Sequence, residues 1–159
     1  MEEHKDRFRM YGLVPYNISK IQMGIQYGHA LQEYNNILGE TYDEFNTWRL
    51  EDKTFIILNG GTSMTMEQHV ETLKDADIHV GVFQEPDLNN MTTGIVFLVP
   101  EQVYKRDKWP DFVTWLKSKE FDNYSFDTLD EKREEWIKET GINENIAFLK
   151  EFTSQFRLA

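Results

Sequence analysis

The chain contains no cysteine, which excludes disulfides and thiolate metal sites and permits a reducing compartment. It has no run of about 18 apolar residues, the length that a membrane-crossing helix needs. The opening residues, MEEHKDRFRM, lack the apolar core of a signal peptide. Those two absences lead us to expect a cytoplasmic protein with no membrane partner. No internal repeat and no low-complexity segment is present. The four histidines, His4, His29, His69 and His79, nowhere stand at metal-ligand spacing, so neither a metal nor a cofactor is expected. Asn59-Gly60-Gly61-Thr62-Ser63 follows an apolar run but lacks the lysine of a phosphate loop, and no serine sits in a GxSxG elbow. Stand-alone catalytic motifs are therefore missing.

Positive charge is also scarce. Seventeen Lys and Arg stand against 28 Asp and Glu, a formal net charge of −11, which works against broad non-specific nucleic-acid binding. The deficit is uneven: residues 1–30 carry four bases against three acids, residues 31–100 three against twelve, and residues 101–159 ten against thirteen. The N-terminal region is thus not itself repulsive to a phosphate.

What the chain has is enough apolar and aromatic content for a folded core, 40% and 14% over 159 residues. Met10–Tyr16 reads as a buried strand. A helix then follows, N-capped by Asn17 or Ser19, with Ile18, Ile21, Ile25, Ala30, Leu31 and Tyr34 recurring near helical spacing and Gly39 as its stop. Gly24 and Gly28 lie four apart on that helix, where glycine costs about 1 kcal/mol relative to alanine. Close packing against a sheet is the preferred explanation, and a ligand approaching the backbone is the other. Glu40–Arg49 is a weak helix. Thr54–Leu58, TFIIL, looks like a central strand covered on both faces. Met66–Ala76 is an amphipathic helix, and Ile78–Phe83 and Thr93–Val99 are strands.

Strands alternating with helices predict an α/β core over residues 1–100: a four-stranded mixed sheet with helices on both faces. Past Pro100, Phe112, Trp115 and Leu116 mark one helix, Leu129–Glu139 another and Asn143–Phe156 a last one, with a polar link over Asp122–Thr128. Residues 101–159 are therefore expected to form a helical C-terminal extension packed on the core, too small to stand alone.

The stretch Val82–Val99, VFQEPDLNNMTTGIVFLV, carries the densest polar chemistry. A crossing this long between two strands is unusual for a plain hairpin. Glu85, Asp87, Asn89, Asn90, Thr92 and Thr93 are expected on a loop at the sheet's end, where function tends to sit. Turn-capping by the Asn and Asp residues is the plain alternative.

Gln26-Tyr27-Gly28-His29-Ala30 inside the first helix, followed in order by Glu85 and Gly94 before the last strand, resembles the type 2 peptidyl-tRNA hydrolase family. That family carries a G-K-x-A-A-Q-x-x-H-A helix start and a later D-A-G-R-T-Q-I-A-P-G segment. Gln26, His29 and Ala30 match the first motif, Glu85 falls at the position of the second motif's aspartate, and Gly94 at its closing glycine. Gln22 replaces one family lysine, Lys20 matches an earlier one, and Leu88-Asn89 stands for the R-T pair. The string EPDLNN looks like a divergent branch associated with bacteriophages and bacteria; for a phage protein the compartment would be the host cytoplasm.

The resemblance covers residues 10–100 and implies cleavage of the ester joining a peptide to tRNA, which needs an activated water and a stabilised oxyanion. It makes Lys20, His29, Glu85 and Asp87 the candidate catalytic residues: Glu85 or Asp87 to orient the water, Lys20 or the Asn89 amide to stabilise the charge. Gln22, Gln26, Asn89, Asn90, Thr92 and Thr93 are the candidate substrate-binding residues. The expected partner is a tRNA ester. Two other readings stand beside it: a binding module of the same fold that engages a protein or small ligand through the EPDLNN loop, and an enzyme acting on a small nucleotide or modified amide. Oligomeric state is open, a dimer included.

Overall fold

Along β1 (Phe8–Pro15) successive side chains turn to opposite faces, as the pleat requires. A Cβ on Gly12 would strike the Tyr27 ring, whereas Leu13 lies with Met66 around Gly60. Tyr27 belongs to α1 (Lys20–Leu38) and Met66 to α3 (Ser63–Asp75), so helices cover both faces. The structure, a computed structural model, describes residues 7–119 and 126–159. It divides into two units: one takes the chain up to Val99 together with Phe156–Ala159, the other is Pro100–Gln155.

In the first unit β1 pairs in parallel with β2 (Phe55–Gly61), Leu13 opposite Leu58. β3 (Gly81–Glu85) pairs antiparallel with β4 (Met91–Pro100). The order is β2-β1-β4-β3, the four-stranded mixed sheet expected. TFIIL is not the central strand; β1 and β4 are, and β4 is buried from Thr92 to Val99. β2 is an edge, and its outer side is closed by the chain's last residues. The Asn59 amide donates to the Arg157 carbonyl at 2.9 Å and the Ala159 amide to the Ile57 carbonyl at 3.0 Å, around a Leu58–Leu158 bridge.

Ser19 caps α1, its hydroxyl accepting from the Gln22 amide at 3.1 Å, and Gly39 ends it at φ 44°. The buried stripe differs from the expected one: it is Met23, Gln26, Tyr27, Ala30 and Tyr34, while Ile21 and Ile25 are 77% and 42% exposed. A polar Gln26 can hold a place in that stripe because its amide is fully bonded. The Tyr27 hydroxyl likewise donates to the Met10 carbonyl at 2.5 Å, and burial raises its pKa. Gly24 and Gly28 face open space, which overturns the packing explanation for them. Close approach happens instead at two strand glycines. A Cβ on Gly94 would lie 2.4 Å from the Gln26 carbonyl oxygen, and one on Gly81 2.4 Å from that of Ala30. The weak helix at 40–49 is split into a 3-10 turn (Gly39–Thr41), α2 (Asp43–Thr47) and a π turn (Trp48–Asp52).

The second unit contains α4 (Glu101–Tyr104), α5 (Phe112–Ser118), α6 (Phe126–Thr140) and α7 (Glu144–Thr153). Trp115, Leu116, Trp136, Ile142 and Ala147 form its core. α6 begins three residues before the predicted Leu129; of the polar link expected over Asp122–Thr128, residues 122–125 lie outside the described residues. Lys150 is 2% exposed, and its ammonium donates to the Trp109 carbonyl at 2.6 Å and to Asp111 at 2.9 Å. Burial lowers its pKa, and the Asp111 carboxylate opposes that. Among the described residues no helix is long and apolar enough to cross a membrane.

Candidate functional site

The expected loop is a turn. β3 runs through Glu85 and β4 begins at Met91, opposite it. Between them Pro86–Leu88 makes one 3-10 turn, with the Glu85 carboxylate accepting from the Asp87 amide at 3.3 Å. Asn89 and Asn90 follow at φ 54° and 59°, the left-handed region that asparagine enters at least cost among residues with a side chain. Their place in the sequence is thereby explained by backbone geometry. Thr92 and Thr93 are not loop residues either: both lie inside β4, 1% and 0% exposed. Pairing continues so close to the turn because Asn90 donates back to the Glu85 carbonyl at 3.0 Å and closes the hairpin.

A bulge supplies the site's geometry. Phe83 pairs with Gly94 and Gln84 with Thr92, leaving Thr93 without an opposite residue. Such an extra residue re-aims its side chain, and the Thr93 hydroxyl donates to Gln26 Oε1 at 2.6 Å. Gln26 Nε2 donates to Glu85 Oε2 at 3.1 Å and to Gln22 Oε1 at 3.2 Å. The amide uses both of its N–H groups and its oxygen, so its orientation is dictated by its partners. Gln22, Gln26, Glu85 and Thr93 thus converge on one corner, where α1 crosses the β3–β4 hairpin.

No family model matches this sequence, and no curated protein matches it. The chemistry is therefore argued from the corner itself. Its carboxylate is half-buried and aligned by neutral donors, the Gln26 amide and the Asp87 backbone, and it takes part in no ion pair among the described residues. A carboxylate held in this way keeps acceptor capacity for a water or a ligand hydroxyl.

The side chains of the other candidates make no hydrogen bond within this corner among the described residues. Lys20 is exposed in the first turn of α1 and carries no ion pair among the described residues. His29 is exposed, its ring edge-on to Phe83 at 4.4 Å, and is not hydrogen-bonded to Glu85 among the described residues. Asp87 contributes its amide to the corner and leaves its side chain exposed. Thr92 lies on the opposite face of the sheet, with Gln84. Among the described residues no group of three His, Asp or Glu side chains stands close enough to hold a metal ion. Two features were missed: the bulge at Thr93 and the close approach at Gly81. A glycine inside an apolar strand was the available signal for the second.

Proposed function

We propose that the corner built by Gln26 and Glu85 is the reaction centre of a hydrolase that cleaves the ester of peptidyl- or aminoacyl-tRNA in the cytoplasm. What supports this reading is that Gln26 and Glu85, one residue from each of the two segments at which the chain resembles the type 2 peptidyl-tRNA hydrolases, are in hydrogen-bond contact across 59 positions of sequence. In this reading Glu85 orients the attacking water, Gln26 and Thr93 hold the carboxylate in place, and Lys20 compensates charge as the ester oxygen becomes anionic. The N-terminus of α1, which has no acidic residue in its first turn, would favour a phosphate of the tRNA end.

The test is turnover of a peptidyl-tRNA by the full chain and by Lys20→Ala and Glu85→Ala variants that retain the parent circular dichroism. Losing a positioned proton acceptor costs about a hundredfold or more in kcat/KM, and that is the expected loss for Glu85→Ala. Unchanged turnover in both variants overturns the site.

A second reading is favoured by one observation: both Glu85 oxygens already accept hydrogen bonds, from Gln26 and the Asp87 amide. On that reading the corner is a brace and the fold a binding module, and the full chain binds without turnover. Binding to tRNA, if it is the function, weakens steeply with added salt.

A further inference from the structure

The two edges of the sheet are treated differently. The β2 edge is closed by residues 157–159. The β3 edge is left open: β3 is last in the strand order, and no backbone bond from a described residue reaches the outer side of residues 81–84. Beside it lies a cleft of about 700 Å³. The cleft straddles the edge. Glu33 of α1 lines it on one face of the sheet, and Glu67, Glu71 and Lys74 of α3 line it on the other. None of these four takes part in an ion pair among the described residues.

Thr92 gives a second, independent sign. It is 1% exposed, lines the cleft and shares the face of Gln84, its partner across the ladder. Its hydroxyl makes no hydrogen bond among the described residues and is not sealed off from the cleft, so it can bond a water or an entering peptide.

An open strand edge offers a row of main-chain donors and acceptors to an extended peptide, and flanking pockets choose its side chains. Successive side chains of an added strand point to opposite faces, so one set would reach Glu33 and the other Glu67 and Glu71. Three carboxylates against one ammonium select cations. The same charge speaks against a second copy of this chain, since two such edges side by side would bring like charges together. We propose that the open edge of β3 docks an extended, Lys- and Arg-bearing segment of a partner protein, added as a fifth strand.

The probe is a fluorescein-labelled, end-blocked peptide, Arg-Lys-Val-Arg-Lys-Val-Arg, titrated with the full chain and followed by anisotropy. Saturable one-to-one binding is expected, weakened tenfold or more by Glu67→Lys/Glu71→Lys and by N-methylation of alternate peptide residues. Glu131→Lys/Glu134→Lys, in α6, should leave it unchanged. Equal weakening by both charge reversals, or equal binding of the N-methylated peptide, shows adsorption by charge alone and overturns the proposal. Absence of binding overturns it too, as does a concentration-dependent dimer whose β3 amides become protected from exchange.

Discussion

Gln26 shows how a single polar residue can be forced into an apolar stripe. Its three hydrogen bonds go to Thr93, Glu85 and Gln22, and Thr93 is fully buried. Gln26→Leu keeps the volume and strands the Thr93 hydroxyl, which costs about 2 kcal/mol. Removing both polar partners in Gln26→Leu/Thr93→Val should restore a large part of that, since no unmet donor remains. Urea midpoints of the parent, the two single variants and the double variant measure this; strict additivity would mean that the pair is not coupled. Gln26 and Glu85 were each singled out in the sequence by their motif positions, but the hydrogen bond between them was not legible there. Nor was the role of Thr93, because a bulge shifts the alternation of a strand by one and no composition signal marks it. Lys20 and His29 show the converse: residues placed by motif position that the fold leaves in solvent.

At the scale of elements, α1 and the β3–β4 hairpin meet through the strand glycines rather than the helix glycines. Gly94→Ala would press a methyl group against the backbone oxygen of Gln26, an atom that moves only if the whole helix moves. Overpacking of this kind costs about 1–3 kcal/mol. Gly24→Ala and Gly28→Ala meet nothing within 4 Å and sit in the interior of a helix, so each should raise stability by about 0.5–1 kcal/mol. Thermal unfolding of the three variants checks the contrast, and a loss at Gly24 or Gly28 would contradict it. The order of strands and helices could be read from apolar periodicity, and the Gly39 stop and a cap at Asn17 or Ser19 from local chemistry; the structure selects Ser19. Which face of α1 is buried could not be read. Met23 and Gln26 outrank Ile21 and Ile25 in the interior because the sheet's glycines admit the helix on that side, and that is a long-range fact.

For the whole molecule, closure of the β2 edge ties residues far apart in sequence. The Phe156 ring stands edge-on to His69 at 4.9 Å, and burial lowers the His69 pKa. A histidine whose folded pKa lies below its unfolded value takes up its proton first in the unfolded chain, so stability falls as pH drops through about 6.5. Deleting residues 156–159 removes the two backbone bonds and the ring, a loss of about 2–4 kcal/mol. With His69 then solvated, the remaining stability should fall less steeply between pH 7 and 5. Denaturant titrations at the two pH values measure both effects, and an unchanged slope would dissociate His69 from the tail. The sequence suggested a helical extension after Pro100; its periodicity had no means of showing that the last four residues belong to the first unit.

That return has a consequence for how the chain is made. β4 is finished at Pro100, yet the strip that seals β2 is separated from it by the 56 residues of Pro100–Gln155. On the ribosome the sheet therefore emerges with one border unsealed, and it stays so while the entire helical unit is being synthesised. Residues 157–159 act as a latch made after the four strands, and a translation product halted between Pro100 and Arg157 has all four strands but no latch.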